Sequence, residues 1–369
     1  MTNRSTDVLA LTVGIDLGDK RSHYCFVDAQ GDIVEEGAVP STEAGFSRRF
    51  QSLEPCRMAL EVGTRSAWLC ELLQGFGHEV YVANPRQLKL ISQSDRKDDR
   101  TDAETLARVA RMDPKLLRPI QHRGAEARRH LAVVRSRDAL VRTRTLLINH
   151  VRGIVKTFGG RLPGCSTPSF SDKVREHIPA ELKKQLAPVL KVIDGLGVKI
   201  RFYDRNIQHL EKKKHPEALH LAEVPGVGVL TALAFVLTIE DPGRFPRSRE
   251  VGAYLGLCPR RFDSGKTTSQ LGITKAGDSH LRRLLVGASQ YILGPFGPDT
   301  DLRRWDLALA VRGGKNAKKR AVVAVARKLA VLLHRMWVTG EVYKPLRNAA
   351  PIVSLSGVQG QAILKERGD

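Results

Sequence analysis

The sequence is poor in paired cysteines, in long apolar runs and in acidic residues. The cysteines among its 369 residues are Cys25, Cys56, Cys70, Cys165 and Cys258. Their odd number and the lack of any Cys-x-x-Cys spacing indicate neither a disulfide framework nor a zinc site. No apolar run approaches the roughly 20 residues that span a bilayer, and the run that ends at Ile15 is followed at once by Asp16. We therefore expect a cytoplasmic protein with no membrane partner.

The shortage of acidic residues gives the chain a strong positive charge. It has 39 Asp and Glu against 60 Lys and Arg, which leaves a net charge of +21. An excess of this size is typical of proteins that bind nucleic acid, although a solvated basic surface is the alternative. The length allows two or three domains, each with its own core.

An apolar stretch near the start of the chain contains one carboxylate. Leu11–Gly18 has the β-branched, apolar composition of a buried strand, interrupted by Asp16. Burying an unpaired charge costs several kcal/mol. The sequence therefore predicts that Asp16 is paired, exposed at a strand edge, or bound to a cation.

The first 115 residues predict an α/β domain with a mixed sheet. Strand and helix patterns follow the order β-β-β-α-β-α-β. After the opening strand, the predicted elements are Ser22–Val27, Ile33–Val39, the helix Thr42–Leu53, Met58–Val62, the helix Ala67–Gly75 and Glu79–Ala83.

Further carboxylates occupy corresponding places in this predicted domain. Glu61 lies at the end of a short strand, and Asp99 and Asp102 share one face of a helix. With Asp98 they could simply form the charged first turn of a surface helix. Two strand carboxylates followed by a helical pair, however, match the order of a ribonuclease-H-like fold, in which such groups hold two metal ions.

Residues 120–215 predict a long helical hairpin. Apolar residues recur every seven positions at Val133, Leu140, Leu147 and Ile154, and a second helix is predicted over Ala180–Lys214. The first helix is rich in arginine. The candidates for phosphate contact are Arg128, Arg129, Arg135, Arg137, Arg142 and Arg144. Assembly of protomers along the apolar seam and a merely solvated basic face are the alternatives.

Residues 216–345 predict a mainly α domain that begins with a helix-hairpin-helix. Its turn contains Pro225, Gly226 and Gly228, whose exposed backbone N–H groups could approach a phosphate. A helix-helix turn within a core is the alternative. A later basic helix presents Lys318 and Lys319, and residues 346–369 predict a mobile tail.

Ser264 lies in an Asp-Ser-Gly sequence that predicts a flexible loop. Lys266, Lys275, Arg282 and Arg283 follow it, and nearby positive charge would stabilise the transition state for attack on phosphorus. A plain turn is the alternative reading. His280 could act as the base, but we expect a solvated histidine at a helix start.

Together these motifs resemble the insertion-sequence one-ten group of DEDD transposases, from Gly14 to about Tyr343. The four acids match the Asp-Glu-Asp-Asp set of its N-terminal domain, which is Holliday-junction-resolvase-like. The sequence departs from the family pattern at Asp98, where a threonine is usual, so Asp98 could replace Asp99 as a ligand. The second motif block comprises Gly256-Leu257-Cys258-Pro259, Ser264-Gly265, Lys275-Ala276-Gly277 and Leu281-Arg282-Arg283-Leu284-Leu285.

The resemblance implies a bridge-RNA-guided serine recombinase. Asp16, Glu61, Asp99 and Asp102 would bind Mg²⁺ or Mn²⁺, and Ser264 would form a covalent phosphoserine–DNA intermediate in a composite site. The implied partners are double-stranded DNA of the element ends and target, a structured guide RNA, and further protomers in a dimer or tetramer. Such a protein would be nucleoid-associated in a bacterium or archaeon.

Two other functions fit the same residues. A Holliday-junction-type endonuclease would hydrolyse DNA through the four acids, with Ser264 only structural. A non-enzymatic DNA- or RNA-binding protein would retain the fold without cleavage.

Overall fold

The computed structural model describes residues 11–84, 98–264, 267–311 and 316–347, with the backbone alone at 261–264, 267–270, 306 and 309–311. The chain divides into two compact units, Met1–Gly124 and Ala125–Asp369. The finer division of the second unit near residue 215 stays a prediction. From residue 348 onward the predicted tail lies outside the described residues.

The first unit contains the mixed five-stranded sheet that the sequence predicted. Its strands are β1 (Leu11–Asp16), β2 (Arg21–Asp28), β3 (Ile33–Pro40), β4 (Arg57–Glu61) and β5 (Glu79–Ala83). They lie in the order β3-β2-β1-β4-β5. The meander β1-β2-β3 is antiparallel, whereas β4 runs parallel to β1 and β5. The predicted element order is confirmed.

Helices cover both faces of this sheet. Val13 and Ile15 of β1 pack with side chains of α1 (Glu43–Phe50) and α2 (Ser66–Gly75), including Phe46 and Leu69. Successive strand residues point to opposite faces. On the other face, α3 (Asp99–Met112) packs its alanines against Cys25 and Val27 of β2. The strand β1 is therefore buried on both sides.

A glycine at the centre of β1 allows α3 to lie directly on the sheet. A Cβ atom built at Gly14 would lie 1.9 Å from the carbonyl oxygen of Ala103 and 2.5 Å from the backbone nitrogen of Ala107. Both atoms belong to α3, whose backbone cannot yield locally without breaking its hydrogen bonds. Any side chain at this position would push away the helix that carries Asp99 and Asp102.

Gly14→Ala should therefore reduce the free energy of unfolding by about 3 kcal/mol through overpacking. Gly75→Ala is the control, because no atom lies within 4 Å of a Cβ built there. Helix propensity favours alanine over glycine by up to about 1 kcal/mol, so the control should be neutral or stabilising. Urea denaturation of the two full-length variants measures both values. Equal stability of the two variants would contradict the close-packing argument.

The second unit begins with the predicted antiparallel helical hairpin. Its long helices are α4 (Ala125–Thr157) and α6 (Ala180–Lys214), and the short helix α5 (Phe170–Val174) lies between them in the chain. Val151 and Val155, near the end of α4, pack with Leu182 and Leu186, near the start of α6. The predicted bounds of α6 are confirmed.

The rest of the second unit is mainly helical. Its helices are α7 (Pro216–Leu221), α8 (Val229–Ile239), α9 (Arg249–Tyr254), α10 (Ser279–Leu293), α11 (Asp301–Val311) and α12 (Ala317–Thr339). Thr231–Ile239 of α8 is buried throughout, because it lies at the centre of a core shared with α10, α12 and the start of α4. Within the described residues, no helix combines the length and the apolar character needed to cross a membrane.

A β-hairpin occupies the place where the sequence predicted a flexible loop. The strands β6 (Pro259–Ser264) and β7 (Thr267–Ile273) pair antiparallel, with Ser264 opposite Thr267. The flexible-loop prediction is wrong for Ser264 itself, which ends a hydrogen-bonded strand. The reason is the sequence of β7, where threonines and Ile273 favour extended pairing.

Candidate active site

Three elements of the first unit bring carboxylates to one edge of the sheet. Asp16 is the last residue of β1, and Glu61 is the last residue of the parallel strand β4. The register pairs Ile15 with Leu60, so the two acids follow neighbouring positions. Asp99 and Asp102 form the first turn of α3, which lies across β1. The structure thus brings together all four acids that the sequence selected.

The other three acids are close enough to Asp16 to affect its pKa. Burial has the largest effect, and together with the charges of Asp99, Asp102 and Glu61, in that order, it raises the pKa of Asp16 from 3.8 to about 6. The nearby His23 acts in the opposite direction. A carboxyl group whose pKa is raised by three other carboxylates lies in a site with excess negative charge, which a cation would stabilise.

Asp98 has a different task from its neighbours. It is the N-cap of α3, and its side chain accepts a hydrogen bond from the backbone N–H of Arg100 at 3.3 Å. This contact uses the side chain to stabilise the helix start. The side chain of Asp98 is thus occupied as the helix cap, and Asp99 is the neighbour whose charge raises the pKa of Asp16. Both observations favour Asp99 over Asp98 as the third acid.

Sequence reasoning missed His23, which lies beside the acids. It pairs with Asp16 across the β1–β2 ladder, and its Nε2 is 3.9 Å from Asp99 Oδ2. Its Nδ1 is buried without a hydrogen-bond partner. The signal that could have found it is the predicted meander, since an antiparallel register places one residue of the second strand directly opposite Asp16.

The chemistry of this donor set fits a hard divalent cation. Carboxylate oxygens are the ligands that Mg²⁺ and Mn²⁺ prefer. Across residues 11–84, 98–264, 267–311 and 316–347, no three His, Cys, Asp or Glu side chains lie close enough together to coordinate one metal ion.

The raised pKa of Asp16 predicts an unusual pH dependence of stability. The folded state holds the Asp16 proton more tightly than the unfolded state does, so this stabilising effect is complete below pH 3.8 and is lost as the pH rises through about 6. Because Asp16 is only partly buried, we expect the loss to be about 1–3 kcal/mol. In EDTA at pH 7, Asp16→Asn should therefore unfold at higher urea concentration than wild type.

At pH 4 the two proteins should be equally stable, since Asp16 is then largely protonated when folded. Mg²⁺ at pH 7 should raise the stability of wild type more than that of Asp16→Asn. If the wild type is the more stable protein in EDTA at pH 7, repulsion among the acids does not explain the site.

Ser264 belongs to the second unit, and its backbone ends β6. The segment that follows β7 is tightly held. Lys275 has a left-handed backbone, with φ of 55°, and its N–H donates to the carbonyl of Gly256 at 3.1 Å. Arg282 donates from one guanidinium nitrogen to the carbonyl oxygens of Leu255 and Ala276. The exposed Lys275 is therefore presented from a fixed loop. Lys266 lies outside the described residues.

Several arginines proposed for phosphate contact form ion pairs within this unit. Arg135 pairs with Asp278 at 2.9 Å. Asp138 forms ion pairs with both Arg283 at 2.8 Å and Arg142 at 3.1 Å. Their contact with nucleic acid stays a prediction, and it would require exchange of these partners.

His280 is buried at the start of α10, and its Nε2 lies 3.6 Å from Asp138 Oδ1. Burial lowers the pKa of His280, although Asp138 opposes this shift. The prediction of a solvated histidine is wrong, because α10 packs its first turn against α4.

The two glycines of the predicted helix-hairpin-helix have different surroundings. Gly226 has φ of 84°, and a Cβ there would lie 2.8 Å from the carbonyl oxygen of Ala288, so its role is close packing on α10. Gly228 precedes α8 and has no atom within 4 Å of such a Cβ. Gly228 is thus the more accessible of the two. Lys318 and Lys319 are exposed in the first turn of α12, and Arg128 is half-buried.

Two family models match the chain. A DEDD transposase model, described as "Transposase", matches residues 13–159, and the model "Transposase IS116/IS110/IS902 family" matches residues 218–299. The first match covers the four acids, and the second covers the Ser264 hairpin. Membership of a DEDD domain family suggests the use of a divalent metal.

Curated relatives give the same result over most of the length. A probable family 20 transposase of Pseudomonas aeruginosa is 30% identical over 80% of this chain and 88% of its own length. The transposase for insertion sequence element IS1111A of Coxiella burnetii is 29% identical over 90% of this chain and 91% of its own. A pilin gene-inverting protein of Moraxella bovis is 27% identical over 42% of this chain and 52% of its own. The chain therefore belongs to the IS110 family of transposases, which are DNA-recombining enzymes.

Proposed function

We propose that this chain is the transposase of an insertion sequence, which cuts and rejoins DNA through a covalent bond to Ser264 and a divalent metal site at Asp16, Glu61, Asp99 and Asp102. The observation that carries the proposal is the convergence of the four acids, expressed in the raised pKa of Asp16. Repulsion among four neighbouring carboxylates is costly, and a bound cation would offset that cost.

The acidic residues have separable tasks in this proposal. Asp16 and Glu61 present oxygens from adjacent strand ends, while Asp99 and Asp102 present oxygens from the helix that packs on Gly14. Asp98 holds the first turn of that helix by capping it. A bound Mg²⁺ or Mn²⁺ would supply neutralisation of the charge that develops on the scissile phosphate.

Ser264 would be the nucleophile. Its Oγ loses its proton and bonds to phosphorus, while the bond from phosphorus to one deoxyribose oxygen breaks and that oxygen takes up a proton. Phosphodiester is exchanged for phosphodiester, so the reverse step rejoins DNA without ATP. Position at the end of a paired strand supports this role, because a nucleophile on a regular element is held in place better than one in a flexible loop.

Family membership supports a DNA substrate, and the other partners are part of the proposal. We propose double-stranded DNA of element ends and target, a structured guide RNA (the bridge RNA) and a homo-oligomer, dimer or tetramer. The protein would act on nucleoid DNA in the cytoplasm. The charge of +21 supports nucleic-acid partners in general.

The test uses the full-length protein, labelled element-end duplex, copurified RNA and Mg²⁺. We expect label that migrates with the protein on a denaturing gel and disappears in EDTA. Free DNA ends without an adduct would favour the junction-type endonuclease, and metal-independent binding without cleavage would favour a non-enzymatic binding protein. Sequencing the copurified RNA tests guidance, because its loops should pair with element and target sequences.

A further inference from the structure

The middle of the helical hairpin contains more positive than negative charge. Arg137 and Arg144 of α4 lie near Arg201 and Asp204 of α6. The charge of Arg137 is paired, since its Nε donates to Asp204 Oδ1 at 2.8 Å. One carboxylate therefore faces three guanidinium groups, which leaves two positive charges without a counter-charge among these four residues.

Arg144 and Arg201 are the two without a partner. Among the described residues, neither forms an ion pair or hydrogen bond, and Arg144 Nε is buried with no acceptor. Burial lowers the pKa of Arg144, and the neighbouring Arg137 and Arg201 lower it further against the opposing effect of Asp204. A guanidinium offers five N–H donors, and a buried donor without an acceptor is costly.

A glycine lies between these two arginines. Gly197 is buried on α6, and the atoms nearest to a Cβ built there are Arg201 Nη1 at 3.7 Å and Arg144 Nη1 at 4.0 Å. The surface at Gly197 is thus flanked by guanidinium nitrogens from both helices. We call these three residues, Gly197, Arg144 and Arg201, the Gly197 notch.

We propose that the Gly197 notch binds one backbone phosphate of a nucleic acid, held between the guanidinium groups of Arg144 and Arg201. A phosphodiester carries the single negative charge that the notch lacks, and its oxygens accept the forked N–H groups of arginine.

The pairing of the other arginines supports this choice. Arg135 and Arg142 already form ion pairs with Asp278 and Asp138, so their guanidinium groups would first have to give up a carboxylate. Arg144 and Arg201 have no such partner to lose. Phosphate contact on the hairpin should therefore depend on them first. Arg201 carries no feature that singles it out in the sequence.

The binding test compares Arg144→Gln and Arg201→Gln with the control Lys199→Gln. Lys199 is an exposed cation on the same helix, about 200° around the axis from Gly197. Affinity for a labelled duplex DNA and for a labelled stem-loop RNA is measured in EDTA between ~50 and ~200 mM salt. Cleavage plays no part in this assay, so the result is independent of the proposed catalytic function.

Each notch variant should bind at least one of the two probes roughly tenfold more weakly at the lower salt. The slope of log affinity against log salt should fall by about 0.9 for duplex DNA if that probe occupies the notch. The probe that shows the change identifies the source of the phosphate. The control should change neither quantity by as much.

A thermal melt of the probe-free protein provides a second readout. Removing one of two unpaired, repelling cations should leave the melting temperature unchanged or raise it by about 1–3 °C. An arginine with a structural task would lower it. The proposal is overturned if both variants bind both probes like the control, or if both melt below wild type.

Discussion

Ser264→Ala should abolish the covalent protein–DNA adduct and reduce recombination by about a thousandfold or more. Methyl cannot replace the hydroxyl oxygen that bonds to phosphorus, and loss of a covalent nucleophile is among the largest effects that a single substitution produces. The substitution changes one atom at the end of β6, so the hairpin should persist. Affinity for element-end DNA should stay within about twofold of wild type, because no phosphate-binding charge is removed.

Ser269→Ala is the matched control for this experiment. Ser269 lies in the partner strand β7, opposite Phe262, and has the same side chain as Ser264 in the same hairpin. Its loss should leave the adduct unchanged. Adduct formation by Ser264→Ala would show that another residue is the nucleophile. Loss of the adduct in both variants would show that damage to the hairpin explains the result.

Asp16→Asn, Asp99→Asn and Asp102→Asn should each reduce strand cleavage by about two to three orders of magnitude. A metal-site carboxylate contributes several kcal/mol to stabilisation of transition-state charge, and an amide lacks the negative charge that holds the cation. The Asp16 variant should lose activity although we expect it to be more stable than wild type in EDTA. Opposite changes in stability and activity indicate a functional site rather than a structural one.

Asp98→Asn distinguishes the two possible third acids. Asparagine caps a helix as well as aspartate does, so the first turn of α3 should remain intact. We expect near-normal cleavage from Asp98→Asn and a large loss from Asp99→Asn. The reverse pattern would show that Asp98 is the ligand. Counting bound Mn²⁺ by electron paramagnetic resonance gives a second measurement that does not depend on activity.

Local sequence patterns predicted much of the first unit and of the helical hairpin formed by α4 and α6. The order of strands and helices was readable because apolar periodicity and turn residues act over a few positions. The bounds of Glu79–Ala83 and Ala180–Lys214 agree with the sequence pattern for the same reason. The four acids were selected from their places at element ends, and the structure brings them together.

Contacts between distant residues were not readable in this way. The pairing of Arg135 with Asp278 spans 143 positions, and no local rule joins them. His23 was missed because its place beside Asp16 depends on the strand register. The hairpin at Ser264 was read as a loop, since the Asp-Ser-Gly turn signal is local and the β6–β7 pairing is not.

By itself, the sequence determined the kind of partner and the candidate chemistry, because net charge, carboxylates and a serine among cations are properties of composition and spacing. Only the tertiary structure decided which charges are compensated. It placed Asp16 against three other acids, paired Arg135 and Arg142 with carboxylates, and left Arg144 and Arg201 beside Gly197. Electrostatic energy depends on distance and burial, and both are set when helices and strands pack.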